Sequence, residues 1–67
     1  MEFEQVYKLY FKDVYTFLYG LSQNKAVAED ITQDTFLKAI NNIHTFDGRK
    51  DIKAWLFTIA RNTYYTE

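Results

Sequence analysis

Apolar residues recur at steps of three and four along three stretches of this chain, and its two glycines, Gly20 and Gly48, fall where that rhythm breaks. With no proline present, the pattern predicts an all-α fold, a small bundle of three helices joined by two connections, within one domain spanning residues 1–67. The first helix is expected from about Glu2 to Tyr19 or Leu21, with Phe3, Val6, Tyr7, Tyr10, Val14, Phe17, Leu18 and Leu21 turned inward. Phe11, Tyr15 and Tyr19 form a second aromatic line on a neighbouring face, more than a three-helix core needs. That line reads either as packing under a further part of the protein or as a contact surface.

Ser22, Gln23 and Asn24 make a polar connection, in which Asn24 or Ser22 is placed to cap the next helix through its side-chain oxygen. Glu29 and Asp30 then lie near the positive end of that helix dipole, where carboxylates are favoured. The inward stripe of the second helix is expected to be Ala28, Ile31, Thr32, Thr35, Phe36, Ala39, Ile40 and Ile43, which leaves Asp30, Gln33, Asp34, Leu37 and Asn41 outside. Turn formers and charge from Asn41 to Lys50 mark the longer loop. Asp51 is expected to cap a third helix whose inward residues are Ile52, Trp55, Leu56, Ile59, Ala60 and Thr63. The spacing of Trp55 to Ile52 and Ile59 assigns its indole to packing rather than to ligand stacking. At Thr66 and Glu67 the helical rhythm is still running, so the chain is expected to be a fragment, truncated at its C-terminal end, of a longer protein.

A chain of 67 residues buries a small share of its surface and, without cysteine, has neither disulfides nor thiolate metal sites to reinforce it. Six Phe, six Tyr and one Trp supply large apolar area per residue in compensation. The acidic start, Met1-Glu2-Phe3-Glu4, lacks the basic and apolar segments of a signal peptide, and no apolar run approaches membrane-spanning length. A cytoplasmic protein without membrane insertion is therefore expected. The net charge of −1 gives no general support to nucleic-acid binding. Its distribution shifts slightly, since Arg49, Lys50, Lys53 and Arg61 outnumber the acids of residues 45–67.

The chemistry lies in the two faces that the core leaves out. The second helix presents acidic and amide groups beside Leu37; the third presents basic, amide and aromatic groups suited to an unpaired nucleic-acid strand. Glu29, Asp30, Asp34 and His44 are the acid–base candidates, but no activated nucleophile, phosphate-cradling glycine loop or metal-ligand spacing accompanies them. No enzymatic activity, metal or cofactor is expected. His44, alone beside turn residues, reads as solvated or as a local cap.

The blocks Ala28-Glu29-Asp30-Ile31-Thr32-Gln33-Asp34-Thr35-Phe36 and Trp55-Leu56-Phe57-Thr58-Ile59-Ala60-Arg61-Asn62, in this order and behind an aromatic-rich first helix, resemble region 2 of bacterial sigma factors of the extracytoplasmic-function group. The resemblance covers essentially the whole chain. It implies a transcription initiation domain that docks on the clamp helices of the largest subunit of bacterial RNA polymerase and holds the melted, single-stranded promoter −10 element. Carried over by position, Asp30, Gln33, Asp34 and Leu37 match the polymerase-docking face. Phe46, Arg49 and Lys50 fall in the loop that receives a flipped-out non-template base, and Asn62 borders that pocket. Lys53, Phe57 and Arg61 fall where strand-facing side chains are expected. The acid and arginine that often follow the asparagine in that family are not matched by Tyr64-Tyr65-Thr66-Glu67. An anti-sigma factor is an implied further partner.

The competing reading is a helical protein–protein interaction module, such as an anti-sigma decoy, with no DNA binding. The third-helix surface separates the two, because a protein-only module has no use for Lys53, Arg61 and Asn62 along one strand track.

Overall fold

In a computed structural model the described residues are 3–66. They form three helices: α1 (Phe3–Ser22), α2 (Lys25–Asn42) and α3 (Ile52–Thr66), with a 3-10 turn at Ile43–Thr45. The expected beginning near Glu2 and the running-on at Glu67 lie outside the described residues. The longest dimension, 32 Å, is close to the length of α1 itself, and the bundle is 17 Å across its thinnest axis.

α1 does not stop at its glycine. Gly20 is helical, and the chain turns instead at Gln23, which has φ 55. Its amide still donates to the Tyr19 carbonyl at 2.8 Å, the single bond of a left-handed helix terminus, and its side-chain Nε2 donates to the Gly20 carbonyl at 3.1 Å. Local side-chain bonding therefore ends the helix where a glycine would otherwise be preferred. One residue on, Asn24 is extended and accepts from the Val27 amide at 3.1 Å, so Asn24 rather than Ser22 caps α2. The Ser22 hydroxyl braces the joint by donating to the Asn24 carbonyl and accepting from the Asn24 amide.

The core consists of Val6, Val14 and Leu18 from α1, Ala28, Ile31, Phe36 and Ala39 from α2, and Leu56 and Ala60 from α3. Thr32, Thr35 and Thr63 are buried with them. These small residues let the helices approach, and the first two hydroxyls donate back to the carbonyls of Ala28 and Ile31 at 2.6 and 2.7 Å, so burial leaves them satisfied. Phe36 is the hub between α1 and α2, with the rings of Phe3, Tyr7 and Phe11 5.0–6.2 Å from its own.

Phe3, Tyr10, Phe17, Leu21, Ile43, Ile52 and Ile59, expected inside, are only partly buried, and three further residues turn away from the centre. Ile40 is 48% exposed, because it sits one residue, about 100°, beyond buried Ala39 on the helix and so rotates out of the crevice. Tyr7 is 40% exposed, its ring lying over Phe36 instead of beneath it. Trp55 is only half-buried; buried Leu56, its neighbour on α3, takes the inward direction and turns the indole to the flank, against Phe46 at 5.1 Å. Of the second aromatic line, Phe11 is absorbed against Phe36, while Tyr15 and Tyr19 stack on each other at 6.3 Å, with Tyr19 largely outside.

Candidate nucleic-acid and protein interfaces

On α2 the capped first turn fixes the rotation of the helix, and burial of Ala28, Ile31, Thr35 and Ala39 leaves Asp30, Gln33 and Leu37 exposed on one outer face. Leu37 is 61% exposed and has the rings of Tyr7 and Phe36 and the side chain of Ile40 around the same shallow groove. Asp34 is half-buried on the shoulder toward α3, one turn before Lys38. The four residues thus share one side of α2, with the acid nearest α3 the least exposed.

On α3 the expected strand-facing set divides between two flanks. Lys53 leans on α1, 3.2 Å from the Asp13 carboxylate and 5.7 Å above the Phe57 ring. Phe57 itself stacks on Phe17 of α1 at 4.8 Å with the rings 13° from parallel. These two side chains hold α1 and α3 together, and Tyr64 extends that seam by donating to the Leu21 carbonyl at 3.2 Å. Arg61 is exposed between the flanks. Asn62 faces the other way, into a groove between α2 and α3 of about 300 Å³ lined also by Lys38, Asn42, Trp55, Ile59 and Thr66. The geometry therefore corrects the expectation of one track through Lys53, Arg61 and Asn62: about nine residues of helix separate Lys53 from Asn62, at 100° each, which puts them on opposite sides of the axis.

The loop that leads into α3 is built by Asp47. Its Oδ1 accepts from the Arg49 amide at 3.0 Å and from Arg49 Nε at 3.2 Å, while its carbonyl accepts from the Lys50 amide at 2.9 Å. The side-chain bond from Arg49 first, and its backbone amide second, hold the Asp47 carboxyl below the ordinary value of 3.8. A depressed native pKa means that this tether is complete above the ordinary aspartate value and is lost as pH falls through the lower, native one. Asp51 caps α3 as expected, accepting from the Lys53 amide at 2.9 Å. Between these two acids Phe46 leans on Trp55, and a second groove opens, lined by Phe46, Asp47, Lys50, Asp51, Trp55 and Thr58.

Trp55 and Thr45 line both grooves. The indole is thus partly exposed between the amide-bearing cleft and a loop in which Arg49 and Lys50 are balanced by Asp47 and Asp51. The packing that its sequence spacing predicts is borne out by its contact with the core; what the spacing missed is the open part of the ring, for which the signal available was that Trp55 and Leu56, adjacent on a helix, compete for one inward direction. Lys38 was also missed, since nothing in a helical pattern shows that a side chain on α2 reaches α3. Among the described residues no group of His, Cys, Asp and Glu is placed to hold a metal ion, and no helix is long and apolar enough to cross a membrane.

Residues 6–67 match the protein family described as Sigma-70 region 2. The chain is similar to the ECF RNA polymerase sigma factor SigM of Bacillus subtilis, 42% identical over 64 residues that cover 96% of this chain and 39% of that protein. RNA polymerase sigma factor YlaC of the same organism is 36% identical over 61 residues, covering 91% of this chain and 35% of its own length. ECF RNA polymerase sigma factor BldN of Streptomyces coelicolor is 46% identical over 61 residues, covering 90% and 23%. The chain thus spans less than half the length of each of these relatives. No solved structure matches the chain.

Proposed function

This chain belongs to the sigma-70 region 2 family, and from that premise we propose that it serves transcription initiation by docking on RNA polymerase through α2 and capturing the melted non-template strand of the promoter −10 element beside α3. The observation that carries the reading is the separation of exposed chemistry: Asp30, Gln33 and Leu37 beside an apolar groove on the outer face of α2, an indole, amides and charges of both signs around the loop and the inner flank of α3.

The docking partner is the basic clamp-helix surface of the polymerase largest subunit. A leucine ringed by carboxylate and amide groups suits it, the leucine entering a pocket and the charges setting orientation. The strand path runs over the Phe46–Lys50 loop and into the Asn62 groove, with Arg61 at its outer edge. Extracting a base from the stack costs a few kcal/mol, and stacking on an aromatic face returns about 1–3 kcal/mol per base. Trp55 supplies that face and Asn62 the polar edge that distinguishes one base from another. Lys53 and Phe57 contribute indirectly, by fixing α3 against α1. Promoter choice is then selective capture of an opened strand rather than reading of an intact major groove.

An anti-sigma protein would compete for the α2 face. The protein-only alternative draws its support from the engagement of Lys53 and Phe57 with α1. Two substitutions decide between them. Asp30→Lys, on the outer face away from α3, should weaken association with polymerase core in a pull-down at least severalfold, whereas Asn62→Ala should leave association intact and flatten the preference among −10 sequences in transcription. Unchanged association in the first removes the docking assignment; unchanged selectivity in the second removes the base pocket.

A further inference from the structure

Lys38 lies in the sequence of α2 but belongs in space to the α3 groove. Its Nζ donates to the buried Thr63 hydroxyl at 3.2 Å, and the side chain lines the same cleft as Asn62 and Trp55. That bond tethers the ammonium at the wall of the groove and uses one of its three donors, leaving two for a ligand. Among the described residues the ion pairs are Lys8–Glu4, Arg49–Asp47 and Lys53–Asp13, and no carboxylate lies within that range of Lys38.

The rest of the cleft fits the same ligand chemistry. The Asn42 side-chain nitrogen donates back to the Lys38 carbonyl at 2.8 Å, and the hydroxyls of Thr45 and Thr66, which also line the cleft, donate to the carbonyls of Asn42 and Asn62 at 2.7 and 2.9 Å, so these side chains meet a ligand as acceptors and Lys38 is the cation among them. Trp55 and Ile59 form the apolar wall. An apolar wall, a polar rim and one tethered ammonium with no ion-pair partner among the described residues together describe a nucleotide unit, its base against the indole and its phosphodiester against the cation.

We infer that Lys38 is a phosphate-contacting residue of the strand site, held ready by Thr63, so that α2 contributes to strand capture from one edge while its outer face serves docking. This rests on the strand-binding reading above and adds a residue to it. Asp34, one turn before Lys38 on the α3 shoulder, then marks the boundary between the two surfaces.

The test is fluorescence anisotropy of a labelled single-stranded −10 oligonucleotide with this chain across a salt series, for wild type, Lys38→Gln, Lys38→Arg and Lys12→Gln. Lys12 is the control for charge alone, since it lines a separate hollow between α1 and the start of α2. Removing one phosphate contact from a single strand should reduce the slope of log affinity against log salt by about 0.7, with a loss of roughly threefold or more at low salt. Lys38→Arg should keep the wild-type slope, Lys12→Gln should change it little, and thermal melting should show every variant folded. If Lys38→Gln keeps the wild-type slope, or Lys12→Gln lowers it equally, the phosphate role is wrong while strand binding stands. If wild type itself does not bind, the strand reading falls and this inference falls with it.

Discussion

Gln23 and Asn24 show how much a single residue decides in a bundle this small. Gln23 holds a left-handed backbone without being glycine, and Asn24 beside it satisfies an amide that α2 cannot. Substitutions at these neighbours should act in opposite directions. Asn24→Ala removes the cap and should cost about 1 kcal/mol. Gln23→Gly relieves a conformation that L-residues adopt at a cost of about 1 kcal/mol or more, offset by the lost bond to Gly20 and by a freer unfolded chain, for a net gain of roughly 0.5 kcal/mol. Urea titration followed by circular dichroism measures both; a stabilising Asn24→Ala or a strongly destabilising Gln23→Gly would contradict the account of the joint. The sequence named Asn24 as a cap because its chemistry is local. It placed the end of the first helix at Tyr19 or Leu21, about Gly20, where the apolar rhythm breaks; the helix runs on to Ser22, and the side-chain bond of Gln23 that helps to end it has no such signature.

At the scale of the helices, periodicity identified the inward faces, but it failed at Ile40 and Tyr7, which are exposed, and did not show that Trp55 packs against the core with part of its ring open, each at the edge of a stripe. An edge position is resolved by the crossing of the neighbouring helix, which the pattern of one helix does not contain. The same limit explains α3. Lys53, Phe57 and Asn62 were legible as residues outside the core, but not as residues on opposite flanks. Phe57 now reads as a strut: its ring lies on Phe17, under Lys53 and beside the Asp13 pair. Phe57→Ala should therefore destabilise the chain by roughly 2 kcal/mol, less than the ~3–5 kcal/mol of a fully buried phenylalanine because the ring is only partly covered. A shift of that size is easily seen in the melting temperature of so small a domain. If stability is unchanged and strand affinity collapses instead, Phe57 is a stacking surface and the flanks have been misassigned.

Taken as a whole, the molecule has three layers of function compressed into two grooves and one helix face. The α1–α3 seam provides rigidity, the outer face of α2 carries the acids and Leu37, and the cleft between α2 and α3 carries Trp55, Asn62 and Lys38. Family and fold were readable in the chain because two sequence blocks and three apolar stripes state them directly. The cleft was not, because it is made by residues from α2, the 3-10 turn and α3 that meet only after folding. Binding to one surface should leave the other largely undisturbed, with the Asp34–Lys38 shoulder as the place where they touch. The most direct measurement is an NMR titration of the uniformly 15N-labelled chain with a short single-stranded −10 oligonucleotide. The account predicts amide shifts confined to residues 45–50, the Lys38–Asn42 edge and the Trp55–Thr66 flank, with Asp30, Gln33 and Leu37 unmoved. Shifts centred on Asp30 to Leu37, or no shifts at any oligonucleotide concentration at low salt, would contradict it.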